Sequence, residues 1–206
     1  MKKYEFTGET KRVELWNRTA TLHRIKATVE FGFVKVGELG GWIEKEENLS
    51  HEGKAWVCGD AKVCGNAEVC GNAEVCGDAE VWGNAKVCGN AKVCGNAKVC
   101  GDAEVWGNAE VCGDAEVCGD AKVCGNAEVF LASHVLVMGS VGSRNDFTTF
   151  FRDKDNEITV KCGCFLGKID KFLEKVTQTH GNNKYALVYR AAVEVAKLQI
   201  ELTERK

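Results

Sequence analysis

The sequence has no apolar run long enough to span a membrane and no secretory leader at its start. A membrane-spanning helix needs about 20 mostly apolar residues, so we expect neither insertion nor export, and we expect a cytoplasmic protein. The chain also lacks the Gly-Lys-Ser/Thr ending of a nucleotide-hydrolysing phosphate loop. Residues 55–126 contain no histidine, no threonine and no Cys-x-x-Cys pair. An ordinary active site or zinc site is therefore not expected in that segment.

Positive charge is scarce in the middle of the chain. The net charge of −3 divides into +1 for residues 1–54, −6 for residues 55–126 and +2 for residues 127–206. An acidic surface repels a phosphate backbone, so nucleic acid is not an expected partner of the middle segment. An anionic ligand would more readily meet the C-terminal third.

The middle segment consists of one six-residue phrase, Ala-x-Val-Cys-Gly-Asn/Asp, which runs twelve times without insertion between Ala55 and Asn126. Trp82 and Trp106 are the only replacements of its cysteine. Ala and Val alternate with a charged residue and Cys, which is the period of a β-strand. The Gly-Asn or Gly-Asp pair tolerates positive φ and predicts a corner. Strands this short cannot bury an apolar face alone, so successive turns of a coil must stack.

The charged positions of the hexads, taken every sixth residue from Lys62 to Glu128, reveal the length of one coil. At a separation of 18 residues, eight of nine pairs have opposite sign, against six of ten at 12 and five of eleven at 6. The sequence therefore predicts a three-sided prism with 18 residues per coil. Its charged columns form ladders of cross-strand pairs that oppose slippage of the register.

The outward cysteines also fall into columns at this period. A disulfide within a column is not expected, because parallel neighbours lie about 4.8 Å apart and the bond requires Cβ atoms about 3.5 to 4.5 Å apart. Twelve cysteines without a leader favour reduced thiols. Three interpretations stay open, namely apolar packing residues, a self-association face, and metal or redox chemistry. The columns are Cys58, Cys76, Cys94, Cys112 and Phe130; Cys64, Trp82, Cys100 and Cys118; and Cys70, Cys88, Trp106 and Cys124.

The organisation along the chain predicts three parts. Residues 1–54 form an N-terminal β cap and an irregular first coil, residues 55–144 form the hexad prism, and residues 145–206 form an α+β domain. Leu131-Ala132 replaces the hexad corner pair, but the period is expected to continue loosely to residue 144. The last part predicts a β-hairpin over 146–162, a helix that ends at His180-Gly181, and a second helix over 184–202.

The hexads resemble those of the hexapeptide-repeat, left-handed β-helix proteins, in which an aliphatic residue is followed four places later by a small one, as Val69 is by Ala73. This resemblance implies a mainly β fold, a left-handed parallel β-helix. The acyltransferases of that fold place a catalytic histidine near a subunit boundary, which makes His51 and His134 the candidates of an alternative, enzymatic interpretation. The threonine rows of ice-binding proteins and the histidines of gamma-class carbonic anhydrases are missing from the hexads.

The whole chain also resembles a group of small hexapeptide-repeat proteins of phage and prophage genomes. The matching segments are residues 22–27, 40–57, 141–152 and 162–189, together with the hexads. This resemblance implies a non-catalytic protein that neutralises a host defence component, for example by sequestering a nucleotide immune signal.

Candidate ligand-binding residues lie where the repetition stops. The segment 139–144 is rich in glycine and serine and ends in Arg144, and Arg152 follows on the next strand. Exposed N–H groups, hydroxyls and guanidinium groups suit a phosphate or carboxylate. The alternative is a turn whose arginines pair with Asp146 or Asp153. The residues predicted to contact an anionic ligand are Arg144 and Arg152, with Ser143, His180 and Tyr189 as further contacts.

Two features near these residues suit other roles. Cys162-Gly163-Cys164 with His180 suggests a metal or nucleophile site, but three ligands without a fourth make a poor zinc site. Tyr185 and Tyr189 could stack on a ligand or pack in a core. We therefore predict no catalytic residue, no metal and no cofactor.

The function that these observations favour is a non-enzymatic phage or prophage protein in the host bacterial cytoplasm. It would be a homo-oligomer that binds a small anionic, nucleotide-like ligand or a host defence protein. The alternatives are an acyltransferase-like enzyme and a purely structural or assembly protein.

Overall fold

The structure is a computed structural model that describes residues 2–15 and 18–202. It has a β-solenoid with an N-terminal cap, followed by a small antiparallel sheet and two helices. The cap contains β1 (Tyr4–Leu15), β2 (Arg18–Ala27) and β3 (Leu39–Ile43). The first two strands form an antiparallel hairpin, and β3 pairs with β2 and then, in parallel, with the solenoid.

Each hexad of the solenoid contributes one short strand, and the alternation of residues explains its length. The valine and the residue before it form the strand, and Gly then turns the chain. The strands are β4 (Trp56–Val57), β5 (Lys62–Val63), β6 (Glu68–Val69), β7 (Glu74–Val75), β8 (Glu80–Val81), β9 (Lys86–Val87), β10 (Lys92–Val93), β11 (Lys98–Val99), β12 (Glu104–Val105), β13 (Glu110–Val111), β14 (Glu116–Val117), β15 (Lys122–Val123) and β16 (Glu128–Val129).

The predicted coil length is confirmed. Each strand from β4 to β13 pairs in parallel with the strand 18 residues further on, as Lys98 does with Glu116, and these pairings build the three faces of a prism. The inward Ala and Val side chains are buried throughout, forming one continuous core. A glycine is required at the corners: Gly71 has φ of +69°, and a Cβ there would lie 3.0 Å from the backbone N of Gly89.

The charged columns form ion pairs between coils. Lys62 Nζ lies 2.6 Å from Glu80 Oε1, and Lys98 Nζ lies 3.5 Å from Glu116 Oε1. At the corners, asparagine amides form a second kind of ladder, in which each side chain donates to the next coil. The distances are 3.0 Å from Asn72 to Asn90, 3.0 Å from Asn90 to Asn108 and 3.4 Å from Asn108 to Asn126. Both ladders hold the coils in one register.

The expectation that no disulfide forms within a column is wrong. Three pairs are bonded across adjacent coils, with Cα atoms 4.5 to 4.8 Å apart: Cys58–Cys76, Cys94–Cys112 and Cys100–Cys118. A disulfide accepts Cα separations from about 4.4 Å upward, and side chains that lean toward each other bring the sulfurs closer than the strand spacing. The expectation of reduced thiols is therefore also wrong for these pairs.

The C-terminal part forms a four-stranded antiparallel sheet and two helices. Its strands are β17 (Val135–Val141), β18 (Asp146–Arg152), β19 (Ile158–Cys162) and β20 (Phe165–Lys168), in that spatial order, followed by α1 (Ile169–His180) and α2 (Lys184–Gln199). The predicted hairpin and the end of the first helix are confirmed, and the second helix ends three residues early. The hexad period does not continue to residue 144, because residues 135–141 pair antiparallel with β18.

Neighbouring residues of β18 join the two parts of the molecule. Phe151 points into the solenoid core, and Phe150 points into the core between the sheet and the helices. Ala127 also forms an antiparallel bridge with Asp153. At the other end Tyr4 and Leu49 are buried in the solenoid core, so both ends of the prism are covered. Within the described ranges no helix has the length and apolar character to cross a bilayer.

Candidate functional site

The order of the C-terminal strands brings three chain reversals together. In an antiparallel sheet the turn after β17, the turn after β19 and the end of α1 all lie at the same end of the sheet. The opposite end carries Asp153 and contacts the solenoid. Between the three reversals the structure has a cavity of about 500 Å³, which we call the C-terminal cavity. It is lined by Ser143, Arg144, Cys162, Cys164, Phe165, Phe172, Lys175, Val176, Thr179, His180 and Tyr189.

The C-terminal cavity contains four of the five residues predicted to bind a ligand, namely Ser143, Arg144, His180 and Tyr189. Ser143 Oγ lies 3.3 Å from His180 Nε2, and the imidazole stacks on the Tyr189 ring at a centroid distance of 5.8 Å. Residues that are 46 positions apart in the chain thus share one wall of the cavity.

The floor of the cavity is aromatic. Tyr189 and Phe172 are buried and meet edge to face with their centroids 5.5 Å apart. Burial, helped by the neighbouring Cys162, raises the pKa of Tyr189, so the phenol stays protonated and can donate a hydrogen bond. Gly142 is required beside this ring, because a Cβ there would lie 2.0 Å from Cζ of Tyr189.

The rim of the cavity is cationic. Arg144 Nη1 donates to Cys164 Sγ at 3.6 Å, and Lys175 extends from the middle of α1. The hydrogen bond from Arg144 and its charge lower the pKa of Cys164. Among the described residues that line the cavity, none is Asp or Glu. An anion that enters the cavity therefore meets two cations and no carboxylate among the lining residues.

Arg152 is not part of this cavity. It lies at the other end of β18, where its Nε donates to Asn156 at 2.9 Å, its Nη1 donates to the Glu128 carbonyl oxygen at 3.3 Å, and its guanidinium lies over Phe130. Its Nη1 also lies 3.8 Å from Oε2 of Glu128, which pairs in register with Glu110. The pair of Glu110 and Glu128 is the one step at which the 18-residue alternation of charge fails, and Arg152 supplies a positive charge there.

In the alternative interpretation the two arginines pair with Asp146 or Asp153. The Arg144 guanidinium instead donates a hydrogen bond to Sγ of Cys164. Asp153 accepts hydrogen bonds from Lys168 and Thr159. Burial opposes the ionisation of Asp153, but these bonds and two backbone N–H groups hold its pKa below the usual range.

The cavity residues that the sequence did not single out as ligand contacts share one pattern. Phe172, Lys175, Val176 and Thr179 follow the spacing of a single face of α1, the face that also carries the predicted contact His180. That spacing could have indicated Lys175 once His180 was a candidate. The position of Phe165 in the cavity wall could not have been predicted from spacing, because it depends on the geometry of the β19–β20 turn.

Two other cavities lie near the N-terminal cap. One of about 410 Å³ contains Arg18, but Arg18 forms two hydrogen bonds with Glu44, which neutralises its charge. One of about 580 Å³ around Trp56 is lined by the carboxylates of Glu38 and Glu74. Both of these cavities have a carboxylate among their lining residues, whereas the C-terminal cavity has none.

The histidines of the enzymatic alternative have packing roles. His51 Nδ1 accepts the Lys3 N–H at 3.2 Å, and the ring stacks on Tyr4. His134 Nδ1 accepts the Phe130 N–H at 3.2 Å. Burial lowers the pKa of both histidines, so both are neutral at pH 7. They lie at opposite ends of the solenoid, where each holds a coil to its cap.

Within the described ranges no group of three or more His, Cys, Asp or Glu residues is arranged to hold a metal ion. No protein-family model matches this chain, and no curated protein is similar to it at a significant level.

Proposed function

We propose that the protein is a non-enzymatic binding protein whose C-terminal cavity holds a small anionic ligand with a flat ring, such as a nucleotide. The observation that carries the proposal is the composition of the cavity wall. It combines a buried aromatic floor, the two cations Arg144 and Lys175, and no carboxylate.

The dimensions and chemistry suit such a ligand. Small-molecule sites have volumes of about 300 to 1,000 Å³, and the C-terminal cavity is about 500 Å³. A guanidinium group binds phosphate or carboxylate oxygens through two parallel hydrogen bonds. Stacking of a base on an aromatic side chain contributes about 1 to 3 kcal/mol. Lys175 adds a second positive charge on the α1 side of the rim.

The surroundings of His180 favour binding over catalysis. A serine or cysteine nucleophile is activated by a base that a third group orients. Here the imidazole of His180 faces Ser143 and the rings of Tyr185 and Tyr189, and the described contacts of His180 include no carboxylate. The Ser143–His180 pair therefore serves as a pair of hydrogen-bonding groups for the ligand.

The wider proposal follows the resemblance to phage and prophage proteins. In the cytoplasm of a bacterial host, the protein would sequester a nucleotide signal of a defence system or bind a protein component of it. The solenoid, locked by its ladders, would be the rigid scaffold of a homo-oligomer. An exposed apolar stripe on α2 supports association; it contains Leu187, Val195 and Leu198.

The experiment is a thermal-shift and calorimetric screen of the full chain against cyclic nucleotides, cyclic dinucleotides and ADP-ribose. We expect one of these classes to raise the unfolding midpoint, and Arg144→Ala and Lys175→Gln each to weaken the binding. Lys171→Gln is the matched control, because Lys171 lies one turn earlier on α1, is exposed and pairs with Glu174 outside the cavity. If no class binds, or if Lys171→Gln weakens binding as much as Lys175→Gln, the proposal is wrong.

A further inference from the structure

Two thiols lie side by side in the wall of the C-terminal cavity. Cys162 ends β19 and Cys164 precedes β20, with Gly163 alone between them. Cys162 is partly buried and accepts a hydrogen bond from Thr148 Oγ1 at 3.3 Å. Cys164 is exposed at the rim, where Arg144 Nη1 lies 3.6 Å from its sulfur. Only the rim thiol is therefore both accessible and next to a cation.

Cys164 differs in its electrostatics from the buried and partly buried thiols of the solenoid. Burial raises the pKa of Cys64 and of Cys124 to about 11 and that of Cys88 to about 12, so these thiols are protonated at pH 7. Arg144 lowers the pKa of Cys164 by a hydrogen bond and by its charge. Since the thiolate is the nucleophile, Cys164 is a better nucleophile at neutral pH than these three thiols.

The cavity that surrounds this thiolate selects what can reach it. Arg144 and Lys175 attract a negatively charged molecule, and the rings of Phe165 and Tyr189 accept a flat one. A thiolate reacts with a disulfide by attack on one of its sulfurs. The favoured reactant is therefore a small disulfide that carries an anionic group and an aromatic ring.

We propose that Cys164 is a nucleophilic thiol that forms a mixed disulfide with small anionic aromatic disulfides that enter the C-terminal cavity. The Cys164 thiolate attacks one sulfur of R–S–S–R, the new Cys164–S–S–R bond forms, and the old S–S bond breaks. The leaving sulfur departs as RS⁻ with the electron pair, so Cys164 is oxidised, the disulfide is reduced and no further oxidant is needed. This inference rests on the proposed function, since the same cations serve both.

The test measures the kinetics of thiol exchange on the full chain with two aromatic disulfides of different charge. The probes are 5,5′-dithiobis(2-nitrobenzoate), a dianion, and 4,4′-dithiodipyridine, which is neutral. We expect a fast phase for one thiol that favours the dianion. Cys164→Ser abolishes this phase, whereas Cys70→Ser, a partly buried solenoid thiol, retains it.

Arg144→Gln separates recognition from the pKa of the thiol. Without the charge of Arg144 a smaller fraction of Cys164 is thiolate, which slows the reaction with both probes by the same factor. The lost attraction slows the reaction with the dianionic probe further. We expect the preference for the dianion to fall by about tenfold, the low end of electrostatic focusing in a cleft. If both probes slow by the same factor, or if the fast phase survives Cys164→Ser, the proposal is wrong.

Peptide mapping by mass spectrometry gives a readout that needs no variant. After a short exposure to the dianionic probe, the wild-type chain should carry the adduct on Cys164 before any other cysteine, and an earlier adduct on Cys70 or Cys162 would contradict the proposal. Nucleotide binding by Cys164→Ser separates the two hypotheses. If this variant still binds the nucleotide, the proposed function stands even if the thiol-exchange proposal fails. A fast, dianion-selective phase without nucleotide binding would support the thiol site alone.

Discussion

Reversal of one charge in a solenoid ladder should destabilise the protein, and reversal of the whole column should restore it. Lys98 pairs in register with Glu80 and Glu116, so Lys98→Glu replaces two opposite-charge pairs by two like-charge pairs. A cross-strand pair contributes about 0.2 to 1 kcal/mol, and like charges directly opposite are destabilising. The side chains of Lys98 and Glu116 are 46% and 54% exposed, which screens the interaction. We expect a loss of about 1 to 2 kcal/mol in the free energy of unfolding.

The assay is urea unfolding followed by circular dichroism, because urea leaves the ionic strength free to vary. The matched control inverts the full column, with Lys62→Glu, Glu80→Lys, Lys98→Glu and Glu116→Lys, which restores alternation without restoring any original residue. At about 1 M salt the Debye length is about 3 Å, against about 30 Å at 0.01 M, so the loss should shrink. If the inverted column is no more stable than Lys98→Glu, or if the loss is unchanged at high salt, the ladders do not set the register.

Three further predictions follow from single residues. Arg152→Ala should lower the free energy of unfolding by about 1.5 to 3 kcal/mol, because Glu128 loses its cation, yet leave ligand affinity unchanged in calorimetry; a loss of affinity would return Arg152 to the binding site. Asp153→Asn should flatten the acid-unfolding curve below about pH 4: a lowered carboxyl pKa gives stability that is full above the usual value and is lost as the pH falls through the lowered one. Gly142→Ala should cost about 1 to 3 kcal/mol and abolish ligand binding, because the new Cβ displaces the Tyr189 ring; unchanged binding in a thermal-shift assay would show that the ring does not form the floor.

The solenoid could be predicted because its determinants are local and repeated. Each hexad specifies its own strand and corner, and the signs of the charged residues encode the 18-residue pairing that the structure shows. The prediction for the cysteines was wrong because it compared the spacing between strands with the Cβ separation of a disulfide. The direction in which the two side chains lean decides whether the sulfurs can bond. A mean spacing cannot supply that detail.

The candidate site was harder to predict because it is assembled by long-range packing. Arg144 and Arg152 look equivalent in the sequence, but an antiparallel strand places them at its opposite ends, one in the cavity and one against Glu128. Cys164 was considered as part of a metal site, whereas its neighbour in space is Arg144. Contacts between separate turns depend on the register of the sheet, which sequence pattern alone does not fix.

The proposed function requires that the C-terminal cavity retains an anionic ligand by its two cations. The most direct measurement is an unbiased mass-spectrometric comparison of small molecules released from purified wild-type protein and from the Arg144→Ala, Lys175→Gln double variant, both expressed in bacteria challenged by phage. We predict an anionic, ring-containing compound that accompanies the wild type in a stoichiometric amount and is depleted at least tenfold in the double variant. Identical extracts from the two proteins would contradict the claim.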